Sequence, residues 1–557
     1  MPKTSTKFDQ ITPSEFFYRN RDLAGFSNPA KALYTATREL VENSLDACES
    51  SGILPKINVR LIPTSDDDSK TDPRNYLLRV IDNGPGIDSK QAPYAFGRVF
   101  YGSKYSLRQA RGMFGMGGTM AVLYGQITTS KPVSLITSTN GKDFHKFSIL
   151  IDIQNNSPIV VDKDVIQHDG SSGTSIEIKL EGDALRSSSK LHDYFRQTAL
   201  VTPYAEISFL DPHGRFWFYS QSTNQMPKPP GETKPHPHGF DFEAMRRLIG
   251  SSDDQTLQKL LMNNFHRVGP TTALNFSKFV GIDSNSNPKD LSNSEIVNVV
   301  DYLHKFDSFL PPDSNCLSPL GSDILNAGIM NELSPEFSTI TIRPPSAYSG
   351  FPFIIEVGLA YGGKVSRNGI SLFRFANRIP LLYDEGSDVA WQVVKEIIDR
   401  KNYKIPDNAP LSIITHMCST KIPYKSVGKE FIGERPEVER ELKNGVREVM
   451  RQLRLYLSRK GSAEAVKRRQ NIYLKYLPLI AEFSKELSGA KKLPKYESLM
   501  KKYSNSVRHQ YKNSECGVYS MHFIIKLLEG SSYDDVVKHI IKDDDMLKNR
   551  DIFYIRH

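Results

Sequence analysis

The chain has 557 residues, of which 39% are hydrophobic, 10% aromatic and 24% charged. This composition can bury cores and excludes an intrinsically disordered chain, while at about 150 residues per domain the length excludes a single small module and predicts three to four domains. Lys and Arg total 72 against 63 Asp and Glu, a net charge of +9, which favours an anionic partner and makes nucleic acid the first to test.

The cysteines give no sign of a metal or disulfide framework. Cys48, Cys316, Cys418 and Cys516 are scattered without CxxC spacing, which fits a reducing, intracellular compartment. The N-terminus lacks the apolar region of a signal peptide, and no apolar run reaches the roughly 18 residues of a membrane span. The sequence therefore predicts a soluble protein without a membrane partner.

The first part of the chain has an α+β pattern. After an aromatic N-terminal segment, apolar residues at three- and four-residue steps predict a helix over 29–50, on which Glu39 and Asn43 share a face. The second of the strand patterns that follow ends at Asp82, and together they predict an antiparallel sheet. These strand patterns lie at 57–63, 76–82, 132–138, 144–153 and 171–182.

The remaining chain divides into three regions of different character. A proline- and glycine-rich stretch at 225–238 ends the first domain, and four short helical patterns then predict a small all-α domain. Strands with intervening helices predict an α/β domain that ends in a long charged helix, 436–460, and a second helix, 463–487, before a short α-rich tail. The predicted domains are 1–228, 229–312, 313–492 and 493–557.

Polar side chains on the first helix and at a strand end suit nucleotide chemistry. Glu39 and Asn43 are suited to act as a general base on a water molecule and as an oxygen ligand for Mg²⁺, although polar residues on a helix more often face solvent. Asp82 leads into a turn in which Gly84 and Gly86 would let backbone approach a ligand, although such a turn alone is ordinary.

A glycine-rich loop and a later strand contribute two more segments. Free amides of the loop could cradle phosphates, and the helix that follows has an N-terminus that favours anions. The loop is not a Walker loop, because GxxxxGK[ST] is absent. Thr174 begins the last strand pattern with a hydroxyl able to support a buried carboxylate. The glycines of the loop are Gly112, Gly115, Gly117 and Gly118.

In this order and spacing, the four segments resemble the motif set of the GHKL ATPases, which include gyrase, heat-shock protein 90, MutL and histidine kinases. A closer resemblance, over about residues 7–492, is to the B subunits of DNA topoisomerase VI; it is carried by AKALYTATRELVENSLDACE, VFYGSKY, GTSIEIKLEG, STKIPYKSVGKE and YLKYLPLIAEFSKEL. The resemblance implies a GHKL (Bergerat) ATPase sandwich, a helix–two-turn–helix domain and a transducer domain. It also implies the ATP-binding and hydrolysing subunit of a type IIB DNA topoisomerase.

The resemblance implies a role for each motif residue. Glu39 resembles the base that polarises the attacking water, and Asn43 resembles the Mg²⁺ ligand. Asp82 resembles the carboxylate that recognises adenine, with Thr174 supporting it. The other implied ATP contacts are the adenine-pocket glycines Gly84 and Gly86, the phosphate lid from Gly112 to Gly118, and Lys104 of VFYGSKY.

Two parts of the resemblance leave alternatives open. The family's phosphate loop is usually closer to GxxGxG, whereas this loop reads GMFGMGG, so bulky side chains separate its glycines. Lys429 resembles the transducer lysine that reaches the γ-phosphate. Lys421 and Lys425 are the alternatives, since loop lysines are more often solvated than bound to a ligand.

The resemblance also implies partners. The acidic runs at 66–68 and 543–545 do not end hydrophobic strands, so we expect solvated loops there and no DNA cleavage by this chain alone. The family pairs with an A subunit that cleaves DNA, forms an A₂B₂ heterotetramer, dimerises on ATP binding and captures duplex DNA, which implies a cytoplasmic or nucleoid-associated location. A chaperone or mismatch-repair clamp is the alternative within the GHKL class.

The tail has a different resemblance. After residue 492, SVRHQYKNSECGVYSMHFIIKLLEG resembles the last motif of adenain-like and Ulp-type cysteine proteases, with Gln510 for the oxyanion hole and Cys516 as the thiol. No histidine lies between His416 and His509, where the base would be expected. We therefore expect an inactive protease fragment, and a cysteine protease acting through Cys516 is the alternative function.

Overall fold

The computed structural model describes residues 11–64, 71–102, 106–112, 115–366, 369–425, 428–488 and 491–493. The chain divides into two units, Met1–Leu455 and Tyr456–His557. The ATP-related motifs all lie in the first unit, so the fold of that unit positions the candidate site.

The N-terminal part of the first unit is an eight-stranded sheet covered by helices. The strand order is β5-β4-β3-β6-β2-β1-β7-β8. Neighbouring strands are antiparallel as predicted, but β1 and β7 pair in parallel, because helix α5 carries the chain back across the sheet between β6 and β7. The helices are α1 Pro13–Arg19, α2 Pro29–Ser50, α3 Ala92–Gly97, α4 Gly117–Thr129 and α5 Ala184–Val201, and the strands are β1 Lys56–Pro63, β2 Arg74–Ile81, β3 Val133–Ser138, β4 Asp143–Asp152, β5 Ser157–Gln167, β6 Gly173–Gly182, β7 Glu206–Leu210 and β8 Phe216–Tyr219.

Helix α2 has the bounds that its apolar spacing predicts. The side chain of Asn28 caps it by accepting a hydrogen bond from the Lys31 amide at 2.9 Å, and Pro29 occupies the first turn, where a missing amide costs nothing. Leu33 and Leu40 are buried in the core between this helix and the sheet. One face of α2 is therefore fixed by packing, and its polar residues are held at defined positions.

Within the first unit, the central helices pack around a hydrophobic core of their own and lie where the four helical patterns predict them. Three of the helices are capped by side chains, from Asp241, Thr256 and Ser292. The helices are α6 Phe242–Ser251, α7 Leu257–Asn264, α8 Pro270–Val280 and α9 Asn293–Lys305.

The last part of the first unit holds a second sheet of order β10-β11-β14-β12-β13, with β9 also paired to β11. The prediction of two C-terminal helices is wrong: they are one helix, α12, which continues through Gly461, since one glycine costs a helix only about 1 kcal/mol relative to alanine. The elements are α10 Gly321–Leu333, β9 Phe337–Ile342, β10 Ser346–Tyr348, β11 Phe351–Tyr361, β12 Ile370–Ala376, β13 Ile379–Pro380, α11 Val389–Trp391, β14 Leu411–Ser419 and α12 Pro436–Ser488, of which the part up to Leu455 belongs to the first unit.

The two sheets are joined through helices α5 and α10. Leu200 and Tyr204 share a buried cluster with Leu325 and Ile329 of α10. A Cβ on Gly328 would lie 1.8 Å from the Leu200 carbonyl oxygen, so only glycine allows this approach. Within the described ranges, no helix is both long and apolar enough to cross a membrane.

Candidate active site

A cavity of about 690 Å³ lies where α2, the N-terminus of α4 and the second sheet meet. It is lined by residues that are far apart in sequence. The predicted site residues among them are Glu39, Asn43, Gly112, Gly115, Gly117, Gly118 and Lys429. Lys104 lies outside the described residues. The fold thus brings most of the predicted motif residues to one place.

Glu39 lies directly against the N-terminus of α4. A Cβ on Gly117 would be 1.7 Å from Glu39 Oε2, so no side chain other than that of glycine fits at this position. The approach of Gly118 to Asn43 is less tight, since a Cβ on Gly118 would lie 3.1 Å from Asn43 Nδ2. Because a helix N-terminus carries partial positive charge, it favours both the carboxylate and any anion beside it.

Lys429 reaches the same carboxylate from the loop between β14 and α12. Its Nζ lies 3.4 Å from Glu39 Oε1 and 3.4 Å from Glu42 Oε2. Arg38 donates to Glu39 Oε1 at 2.7 Å and to the Gly428 carbonyl oxygen at 3.0 Å. The loop that carries Lys429 is therefore fastened to α2 through both the lysine and the backbone of the residue before it.

The two alternative lysines lie outside this contact. Lys421 and Lys425 are exposed, whereas Lys429 is buried and lines the cavity. The Nζ of Lys421 lies 4.7 Å from the centre of the Phe351 ring, a cation–π distance. Among these three lysines, the geometry favours Lys429 as the one that meets a ligand.

The two carboxylates beside Lys429 have opposite pKa shifts. Burial raises the pKa of Glu39, but the neighbouring charges of Lys429 and Arg38 outweigh it and lower that pKa to about 2. The pKa of Glu42 is raised, chiefly by burial, which these same cations only partly oppose. Glu39 is consequently ionised at neutral pH.

This shift predicts how acid affects stability. The folded-state pKa of Glu39, about 2, lies below the ordinary 4.5. Its contribution to the free energy of unfolding is therefore complete above the ordinary value and is lost as the pH falls toward the folded value. In Glu39→Gln, the melting temperature should fall less between about pH 5 and pH 3 than in the parent.

Thermal unfolding followed by circular dichroism at a series of pH values measures this difference. The control is Glu243→Gln, which changes an exposed carboxylate on α6. Parallel pH dependences for parent and Glu39→Gln would contradict the assigned shift.

Asp82 lies at the end of β2 and is held by three hydrogen bonds. Ser44 Oγ donates to Oδ2 at 2.8 Å, and the amides of Gly84 and Thr174 donate to Oδ1 at 3.0 and 3.1 Å. Thr174 thus contacts Asp82 through its backbone amide, whereas its hydroxyl lies 3.3 Å from Thr137 Oγ1. Burial raises the pKa of Asp82, although the three hydrogen bonds act in the opposite direction and lower it.

The turn after Asp82 requires glycine at position 86. Gly86 has a φ of +73°, and a Cβ there would lie 2.1 Å from the Ser138 carbonyl oxygen. Asp82, Gly84, Gly86 and Thr174 are not among the cavity-lining residues, but Pro85 and Ile87 of the same turn are. This turn therefore forms the wall of the cavity next to Asp82.

Sequence reasoning missed a set of charged and amide side chains in this cavity. Arg111, directly before the glycine loop, donates to Asp46 Oδ1 at 2.8 Å and to both oxygens of Glu49 at 2.7 Å. Asn377 and Arg378, from the turn between β12 and β13, also line the cavity. An arginine beside a glycine-rich loop is a signal that the sequence does offer.

A buried cluster of Glu356, His416 and Cys418 brings three potential metal ligands within 4.8 Å of one another. Both ring nitrogens of His416 are already engaged: Nδ1 lies 2.7 Å from Glu356 Oε2, and Nε2 accepts from the Arg378 amide at 3.0 Å. The cluster is thus a buried hydrogen-bonded network, in which Cys418 Sγ also lies 3.7 Å from each ring nitrogen of His416. The tail predictions, with Gln510, His509 and Cys516, and both acidic runs lie outside the described residues.

Comparison with known proteins agrees with this geometry. Residues 28–155 match the family described as "Histidine kinase-, DNA gyrase B-, and HSP90-like ATPase", and residues 312–469 match "Topoisomerase VI B subunit, transducer". The B subunit of type 2 DNA topoisomerase 6 from Saccharolobus solfataricus is 44% identical over 505 residues, which cover 88% of this chain and 93% of that protein.

The protein of the same name from Metallosphaera sedula is 44% identical over 480 residues, covering 85% of this chain and 89% of that one. Such identity over most of both chains does not fit the alternative of a chaperone or mismatch-repair clamp. The chain belongs to the family of type 2 DNA topoisomerase 6 B subunits and is the ATP-binding subunit of an ATP-dependent type IIB topoisomerase.

Proposed function

We propose that ATP binds in this cavity with its phosphates beneath the glycine loop and its adenine toward Asp82, and that Glu39 polarises the attacking water. The observation that carries the proposal is the position of the Glu39 carboxylate, in contact with Gly117 at the N-terminus of α4 and 3.4 Å from Lys429. A base, an anion-favouring helix end and a cation therefore meet at one point.

Lys429 links the state of the nucleotide to the basicity of Glu39. The lysine now lowers the pKa of Glu39, so it holds this carboxylate in a weakly basic state. If Lys429 turns toward a γ-phosphate, Glu39 loses part of that stabilisation and its pKa rises toward the range useful for a general base.

The donor set also fits Mg²⁺. Asn43 lines the cavity one helical turn from Glu39 and offers an amide oxygen. Mg²⁺ usually takes one or two protein oxygens and completes its shell with water and substrate phosphates. We propose that Asn43 holds the ion, which would neutralise phosphate charge when bound.

Asp82→Asn should weaken ATP binding by roughly tenfold or more, since a hydrogen bond to a charged group contributes about 1.5–3 kcal/mol. The amide can still accept from the Gly84 and Thr174 amides, but it replaces a carboxylate oxygen with a donor that repels the adenine amine. Isothermal calorimetry with a non-hydrolysable ATP analogue measures the change.

Asp88→Asn is the matched control, because Asp88 is an exposed carboxylate in the same connection. Equal nucleotide affinity for Asp82→Asn and the parent would remove Asp82 from the adenine site.

An exposed apolar patch near the cavity supports ATP-dependent dimerisation. Phe16 and Tyr18 of α1 are 40% and 48% exposed, and Phe100 is 47% exposed. The rings of Phe17 and Phe100 are 6.0 Å apart, so α1 and the residues before the glycine loop form one surface. We propose that a second copy of the chain covers this patch when ATP is bound.

Phe16→Ser with Tyr18→Ser should weaken ATP-dependent dimerisation at least about tenfold, because removal of two large apolar contacts typically costs more than 1 kcal/mol. Sedimentation velocity with and without the non-hydrolysable analogue measures the dimer. Leu185→Ser is the control, since Leu185 is 76% exposed on α5, outside the patch. A normal dimer in the double variant would contradict the proposal.

Duplex DNA and a topoisomerase VI A subunit are the proposed partners, in an A₂B₂ assembly. The relatives are named as subunits of a DNA topoisomerase, and the net charge is +9. The test combines this chain with a topoisomerase VI A subunit and supercoiled plasmid. We expect plasmid relaxation that requires both chains and ATP. DNA binding should weaken steeply as the salt concentration rises. Plasmid relaxation by this chain alone would contradict the proposal that the A subunit cleaves the DNA.

A further inference from the structure

The turn between β12 and β13 has an unusual residue for its backbone. Asn377 and Arg378 have φ of +48° and +68°, and the strands pair directly on either side, Ala376 with Ile379. Two-residue turns with both φ positive strongly prefer Asn–Gly. Here an arginine takes the position where glycine is unstrained, which indicates that its side chain is needed.

The Arg378 side chain enters the ATPase domain. It is 5% exposed and donates from Nη1 to Glu49 Oε2 at 2.5 Å and from Nη2 to the Ser318 carbonyl oxygen at 2.9 Å. Its backbone amide donates to His416 Nε2 at 3.0 Å. Both its backbone and its guanidinium are therefore fixed.

Glu49 connects this arginine to the glycine loop. Its two oxygens accept from both terminal nitrogens of Arg111, the residue directly before Gly112, and Tyr204 Oη donates to Oε1 at 2.7 Å. Two buried guanidinium groups thus share one carboxylate, and Asp46 supplies the second negative charge. Such an arrangement is rigid, because breaking one pair leaves a buried charge without its partner.

Residues 109–111 are all connected to the transducer side, either to the β12–β13 turn or to Ser318 just before α10. Gln109 exchanges two hydrogen bonds with the backbone of Ser318, at 2.8 and 3.1 Å. The Asn377 side-chain amide donates to the Ala110 carbonyl oxygen at 3.1 Å. Together with the chain of contacts through Glu49, these bonds fix the start of the glycine loop from the transducer side.

We propose that Arg378 is a positioning residue that holds Arg111 through Glu49, and so sets the start of the glycine loop over the ATP phosphates. The proposal rests on the proposed role of the glycine loop as a phosphate lid. It gives the transducer a second contact with the ATP cavity, independent of the Lys429 loop.

Arg378→Gly in the full chain is the sharpest test, because glycine relieves the backbone strain while it removes the side chain. We expect a lower melting temperature, because Glu49 loses one of its two buried cationic partners. The increase in amide hydrogen exchange should be confined to peptides covering 106–112. The KM for ATP should rise about tenfold with a smaller change in kcat, within the 5- to 150-fold range of typical couplings between sites. Arg378→Lys should have a KM for ATP between those of the parent and Arg378→Gly. An ammonium can contact Glu49 but cannot bridge to Ser318 as a guanidinium does.

Two comparisons separate the possible outcomes. In the double variant Arg378→Gly with Glu49→Gln, the KM for ATP should rise by less than the product of the two single fold-changes, because both substitutions break the same contact. Unchanged exchange and KM in Arg378→Gly, or faster exchange spread over the whole sheet, would overturn the positioning role. Gly115→Ala tests the lid itself, since Gly115 has a φ of +60°; a normal KM there would count against the lid, whatever Arg378 does.

Discussion

Glu39→Gln should lower the kcat for ATP hydrolysis by about 10²- to 10⁴-fold, the usual loss when a general base is removed, while ATP still binds. Glutamine keeps the shape that fits against Gly117 and can still accept from Arg38, but it cannot take a proton from water. Steady-state hydrolysis measures kcat, and calorimetry with a non-hydrolysable analogue measures binding.

Glu243→Gln again serves as the control, since this exposed carboxylate lies on α6. Turnover at the parental rate in Glu39→Gln would exclude Glu39 as the base. A loss of binding equal to the loss of turnover would instead indicate that Glu39 contributes to holding the nucleotide.

Lys429→Met should lower kcat by about 10²- to 10³-fold, the typical cost of removing one preorganised charged or donor group at a transition state. ATP affinity should change much less, because the adenine wall and the glycine loop are untouched. The larger consequence is expected in the domain angle, since Lys429 is the contact through which the second sheet would detect the γ-phosphate. Small-angle scattering with the ATP analogue and with ADP measures that response.

Lys425→Met is the control for this variant, because Lys425 is exposed in the same connection. We expect the parent and Lys425→Met to compact with the analogue but not with ADP, and Lys429→Met to give the same scattering in both states. If Lys429→Met compacts like the parent, another residue detects the phosphate.

The parts of the site that sequence predicts best are those set by local rules. Helix α2 follows from its apolar spacing and its cap, so the shared face of Glu39 and Asn43 could be inferred directly. Glycine marks positions such as Gly86 and Gly117 because backbone or a carboxylate lies where a Cβ would be. In these places the physical cause acts within a few residues of the motif.

Other features depend on contacts between distant segments. The support of Asp82 by the Thr174 amide is set by the pairing of β2 with β6, which decides whether backbone or hydroxyl faces the carboxylate. The role of Arg378 appears only when its turn is packed against Glu49, 329 residues earlier in the chain. Neither the spacing of apolar residues nor a short motif contains that information.

The contact between α5 and α10 limits how the two sheets can move. Because a Cβ on Gly328 would lie 1.8 Å from the Leu200 carbonyl oxygen, the helix backbones already touch and cannot come closer. We therefore expect this crossing to act as a pivot: the transducer can swing about it but cannot slide through it. Spin labels placed on α5 and α10 would then keep a constant separation through the ATP cycle, while labels on α2 and beside Lys429 would change theirs.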